Sequence, residues 1–61
     1  MNKTIKDKSG RHVVVTTYIA DIDLYVNQAF IGGLLTKTKF TYTEALAEKQ
    51  AKKMLKKIST K

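Results

Sequence analysis

Lys49, Lys52, Lys53, Lys56 and Lys57 stand close together near the end of this chain. An ammonium group at neutral pH holds anions as a compact point charge with three donors. On a helix, Lys49 with Lys53, Lys52 with Lys56, and Lys53 with Lys57 are like-charge pairs four residues apart, and each such pair costs about 0.2 to 0.5 kcal/mol. Only Glu48 with Lys52 opposes them. A bound polyanion would relieve that repulsion, and a merely solvated basic face is the competing account. The spacing carries no base-reading information.

Aromatic residues form the second set. Tyr18, Tyr25 and Phe30 are expected on the outer face of a sheet with Thr16, Tyr25 directly opposite Phe30, flanked by Arg11, Lys37 and Lys39. Aromatics on an open sheet can stack on bases while neighbouring cations hold phosphates. Cross-strand packing or contact with a second subunit accounts for them equally. The candidate nucleic-acid-binding residues are therefore Arg11, Tyr25, Phe30, Lys37, Lys39, Lys49, Lys52, Lys53 and Lys56. No catalytic residue is expected. One histidine, no cysteine and few acids supply neither a nucleophile with its base nor the ligands of a closed metal site, so no metal, cofactor or small-molecule substrate is expected. Asp21 and Asp23 read as a turn and a solvent-facing strand position, and His12 as a surface residue.

The elements that must position these groups follow from the pattern of residues. Sixty-one residues allow a single domain over 1–61, and a chain this short buries only about 60% of its unfolded surface. No apolar run approaches the roughly 20 residues needed to span a bilayer, and no signal-peptide pattern follows the first lysines. A cytoplasmic location without a membrane partner is expected. The formal net charge of +7 is unevenly placed: residues 12–36 hold no lysine or arginine, and both flanks are basic.

From His12 to Leu35 the chain is rich in Val, Ile, Thr and Tyr, with polar breaks at Ala20-Asp21 and Asn27-Gln28. Two-residue turns at both predict a three-stranded antiparallel meander. Ile19 then faces Ile22, Thr17 faces Leu24, Val15 faces Val26, and Leu24 faces Ile31, all on one face. A single bent strand from His12 to Val26 is the alternative. Asp7-Lys8-Ser9-Gly10 signals a turn, and Thr4-Ile5 can pair as a short extra N-terminal strand. Gly32-Gly33 interrupts the last strand as a bulge or a close approach to the helix.

Thr41-Tyr42-Thr43-Glu44 has capping-box spacing, with Phe40 placed to staple onto Ala45. It predicts one helix from Thr41 to Ile58. Ala47, Ala51, Met54, Leu55 and Ile58 form its apolar stripe, expected to pack on the Val15, Ile19, Leu24, Ile31 face. The fold class is α+β, a β-meander on one C-terminal helix.

The stretch Lys39-Phe40-Thr41-Tyr42-Thr43-Glu44-Ala45 is similar to the Phe, Thr, Glu-Ala entry into the helix of the arm-type DNA-binding domain found at the N-terminus of many tyrosine integrases. The plant AP2 domain has the same shape. Gly10-Arg11 leading into a strand also fits, and the resemblance covers residues 10–58 in topology. It implies a sheet that enters the major groove and a helix that braces its back. The family's basic residues within the sheet are absent from residues 12–36, and integrase activity is not expected.

The leading expectation is a small basic nucleic-acid-binding module without catalysis, DNA ahead of RNA, of the accessory type used by phages or mobile elements. The alternative is a protein-interaction module. It would form a homodimer through the aromatic sheet face or through an exposed edge at Val13 to Ile19.

Overall fold

The computed structural model describes residues 2–60. Strands β1 (Asn2–Lys6), β2 (His12–Ile19), β3 (Leu24–Ile31) and β4 (Leu34–Thr41) form one antiparallel sheet in chain order, and α1 (Glu44–Ser59) packs on one of its faces. The α+β class and the C-terminal helix are as expected, and the short N-terminal strand is present as β1. The division of the meander is different.

Asp7 organises the first turn. Its Oδ1 accepts from the Gly10 and His12 N–H groups at 3.0 and 3.3 Å and from Ser9 Oγ at 2.9 Å, while Oδ2 lies 2.6 Å from His12 Nδ1. His12 is thus tied to the turn and is not a free surface residue. Burial pushes the Asp7 carboxyl up, but the hydrogen bonds from His12 and Ser9 outweigh it and hold the group below its ordinary value. Such a carboxyl adds stability above its unfolded pKa and loses it as pH falls through the folded one. The melting temperature is therefore expected to drop below about pH 4, and to drop less in Asp7→Asn. Acid melts of the two proteins followed by circular dichroism test this, and superimposable pH profiles would refute it.

Residues 20–23 form the second connection, twice the expected length, with Asp23 at φ 54°. Asp23 therefore lies in the turn, where its Oδ1 accepts from the Tyr18 hydroxyl at 2.7 Å. Ile19 consequently faces Leu24, Thr17 faces Val26 and Val15 faces Gln28. The register is two residues from the expected one, and an even slip preserves alternation. Val15, Thr17, Ile19, Leu24 and Val26 still share a face.

Asn27-Gln28 is not a turn. β3 runs through it, and the reversal occurs at Gly32-Gly33, where φ values of 59° and 86° suit a type I′ hairpin turn that only glycine adopts easily at both positions. The residues after it form a full strand, β4, which was not expected. It carries a bulge at Thr36, whose hydroxyl donates to the Ala29 carbonyl at 3.1 Å. Phe30 now faces Val13 and Leu35, and Tyr25 faces Tyr18 and Thr41. Tyr25 and Phe30 are on opposite sides of the sheet, and Ile31 leaves the face of Val15. β2 is not an edge either, because β1 pairs with Val13 to Thr17. The edges are β1 and β4.

Thr43, not Thr41, caps the helix, its Oγ1 accepting from Leu46 N–H at 3.2 Å. The staple position before the cap is therefore Tyr42, and Phe40 stays open to solvent. The apolar stripe is as expected: Ala47, Ala51 and Met54 are buried, with Leu55 and Ile58 packed beside them. It rests, however, on Val14 and Ala29, with Ile5 from β1, and not on the Val15 face. Two alanines on the stripe require close approach, and the Val14, Ala29 surface has the smaller side chains. Beside this core, Thr16 and Asn27 are buried opposite each other. Thr16 Oγ1 donates to Asn27 Oδ1 at 2.8 Å, and Asn27 Nδ2 donates to the Lys39 carbonyl at 3.3 Å and Thr41 Oγ1 at 3.2 Å.

Candidate functional site

The side chains of β4 alternate across the sheet, and its lysines fall on the helix side. Lys37 pairs with Ala29 and Lys39 with Asn27, both buried beneath α1. The helix runs back along this edge strand, so Lys53 and Lys57 come to meet them. Together with Gln50, Met54 and Ile58, these four lysines line a groove of about 340 Å³. Residues two apart on a strand are about 7 Å from each other, and residues four apart on a helix about 6 Å. The groove thus has two ammonium groups spaced along each wall.

The groove continues toward the start of the helix. A second cavity of about 310 Å³ shares Gln50 and Lys53 with the first and adds Phe40, Thr41, Tyr42, Leu46 and Lys49. Tyr42 is 77% exposed there, whereas Phe40, paired with Val26, turns its side chain to the far face of the sheet. One long cleft therefore has cations along its length and open aromatic surface at one end.

Charge distinguishes this cleft from the one on the other side of the helix. Between β1 and α1 a cavity of about 360 Å³ is lined by Lys3 and Lys52 but also by Glu44 and Glu48, with Tyr25, Ile5 and Ala47 among its walls. Lys3 Nζ meets Glu48 Oε2 at 2.6 Å. That hydrogen bond raises the Lys3 ammonium above its ordinary pKa and lowers the Glu48 carboxyl below its own. On the β1 side cation and anion answer each other. On the β4 side no acid lines the cleft, and among the described residues Lys37, Lys39, Lys49, Lys53 and Lys57 form no ion pair.

The candidate residues therefore divide. Lys37, Lys39, Lys49 and Lys53 are brought together in the cleft, although the two lysine sets were expected on opposite sides of the domain. Lys56 lies on the outer surface at its end, with Lys53, Lys57 and Thr60. Lys52 faces the charge-balanced side. Arg11 stands by the β3–β4 turn, where a Cβ on Gly32 would be 3.4 Å from its Nη2, and it lines neither cavity of the cleft. Tyr25 is half-buried on the helix side of the sheet, its ring 4.9 Å from that of Tyr18 and tilted by 44°. Phe30 is on the far side.

Two residues of the cleft, Lys57 and Tyr42, are not among the candidate binding residues. Lys57 repeats the spacing of Lys53 and was legible as its neighbour one turn on. Tyr42 was absorbed into the helix, because the cap was placed two residues early. Among the described residues no group of three metal-ligating side chains comes together, and no helix is long and apolar enough to cross a membrane. No protein-family model matches the chain, nor does any curated protein or solved structure.

Proposed function

We propose that this chain binds nucleic acid through the cleft between β4 and α1, as a non-catalytic module. The observation that carries this reading is the convergence of Lys37, Lys39, Lys53 and Lys57, from two separate elements, on one groove without an acid. Four cations held that close repel one another, and phosphates entering the groove replace that repulsion with attraction and release condensed counterions. Tyr42 at the open end offers surface on which a base can stack.

The contact is with the backbone first. Lysine recognises phosphate as a point charge and carries little sequence information. Entry by the open sheet face, which the resemblance to the arm-type domain implied, is less well supported, because β2, β3 and β4 turn no lysine or arginine to that side. The preference for DNA over RNA, and the setting of an accessory factor of a phage or mobile element, rest on that resemblance alone.

Fluorescence anisotropy with labelled duplex DNA, single-stranded DNA and RNA at two salt concentrations tests the proposal. Affinity should fall steeply as salt rises, with a log–log slope of about −3.6 on duplex DNA if four phosphates are contacted. Absence of binding to all three at low salt would refute it.

A further inference from the structure

No helix or strand of the described residues packs on the face of the sheet turned away from α1, although Val26 on that face is only 8% exposed among its neighbours. Val13, Val15, Ile19, Leu24, Phe30 and Leu35 share it by the alternation of their strands. Leu35 is 52% exposed, as is 58% of Phe40 at the next outward β4 position but one. The remaining outward positions of β2, β3 and β4 are uncharged, with Lys6 on edge strand β1 and Arg11 beside Gly32 at the margins of the face. A contiguous apolar face of this extent on a small soluble domain marks an interaction surface.

We infer that this face is covered by a second copy of the same chain, in a two-fold, sheet-on-sheet dimer. Charge argues for a second copy. The net charge is +7, yet the strongly basic surface is the β4–α1 cleft on the other side of the sheet. Stacking two outer faces joins uncharged surfaces and leaves the two basic clefts pointing in opposite directions, where they repel least. A partner recognised by charge would find nothing to read on this face.

Area argues the same way. The three eight-residue strands are about 26 Å long and the five-residue β1 about 17 Å, each occupying about 4.8 Å of the sheet's width. The face thus covers somewhat under 500 Å² in flat projection, and two copies together remove on the order of 1,000 Å² from water, where specific association begins. Aligned packing of two twisted sheets is a common solution for such surfaces. The core on the helix side is small, with Val14, Ala29, Ala51 and Met54 at its centre, so a second apolar layer is the reinforcement available to a chain without cysteine. Association through the β4 edge is the weaker route. It would set Lys37 and Lys39 of one copy beside those of the other, and like charges on neighbouring strands destabilise pairing.

Sedimentation equilibrium of the full chain, without nucleic acid and over a wide concentration range, reads the association directly. The mass should rise from monomer to dimer. Leu35→Lys and Val15→Lys should each weaken the dimer tenfold or more while keeping the helical circular dichroism signal. The first alters a position already open in the single copy, so it stands even if the second disturbs folding. A chain that stays monomeric throughout, or a dimer that neither substitution weakens, overturns the inference. Neither result touches the proposed binding of nucleic acid.

Discussion

Replacing Asn27 with leucine is expected to destabilise the fold by about 2 to 3 kcal/mol, the cost of leaving buried polar groups without partners. Asn27 is fully buried, with 0% exposure, and it joins three strands. It accepts from Thr16 on β2 and donates to the Lys39 carbonyl and Thr41 hydroxyl on β4. Leucine has the same heavy-atom branching and is the larger residue, so the substitution leaves no cavity and removes the hydrogen bonds. A 61-residue domain has only about 3 to 9 kcal/mol of stability in total, which makes this a large fraction. Urea unfolding of Asn27→Leu measures it, with Thr16→Val as a graded control expected to cost about 1 kcal/mol. Equal midpoints for Asn27→Leu and the native chain would show that the polar network does not stabilise the sheet. Because Asn27 grips the backbone of Lys39, the same variant should also weaken the cleft's hold on nucleic acid.

Reversing the charge of both β4 lysines, Lys37→Glu with Lys39→Glu, should lower affinity for nucleic acid by a hundredfold or more at low salt. The salt slope should shrink by about 1.8, the share of two phosphate contacts. Lys52→Glu should change affinity little, since Lys52 faces the cavity where Glu44 and Glu48 already answer the cations. Both β4 lysines are exposed, so the fold should tolerate the change, which thermal melts can verify. An equal loss in the two proteins would mean that binding follows net charge and not the cleft. If Tyr42 stacks on a base, Tyr42→Ala should weaken single-stranded binding more than duplex binding.

The wrong turn at Asn27-Gln28 had the widest consequences among the readings of the sequence. Asparagine is common in turns because its side chain satisfies its own neighbourhood, and nothing local reveals that Thr16 and Thr41 will satisfy it instead. Once β3 is taken as continuous, Phe30 and Tyr25 separate, the Gly32-Gly33 pair becomes the hairpin turn, and the lysines of residues 34–41 belong to a strand. The candidate site changed accordingly. Lys37 and Lys39 had been grouped with aromatics on the sheet, while the structure groups them with the helix lysines.

The choice of face has the same origin. Two sides of a sheet can both look apolar in sequence, and here the bulkier side is the uncovered one. Its companion has Val14, Thr16, Asn27 and Ala29, which reads as poor core until a helix with Ala47 and Ala51 on its stripe is laid against it. Packing density, not hydrophobicity, separates the two possibilities.

By itself the sequence determined the local and the additive properties of this protein. Strand and helix propensity, the stripe of α1, the Asp7 turn and the segregation of charge into basic flanks all depend on neighbours within a few residues, or on simple sums. Only the tertiary structure decided which face of the sheet the helix covers and where β4 places its lysines. Those outcomes depend on hydrogen bonds and close packing between residues far apart in the chain, such as Asn27 with Thr41 and Ala29 with Met54. Convergence of Lys37 and Lys39 with Lys53 and Lys57 is a consequence of that packing, so the cleft exists only once the chain has folded.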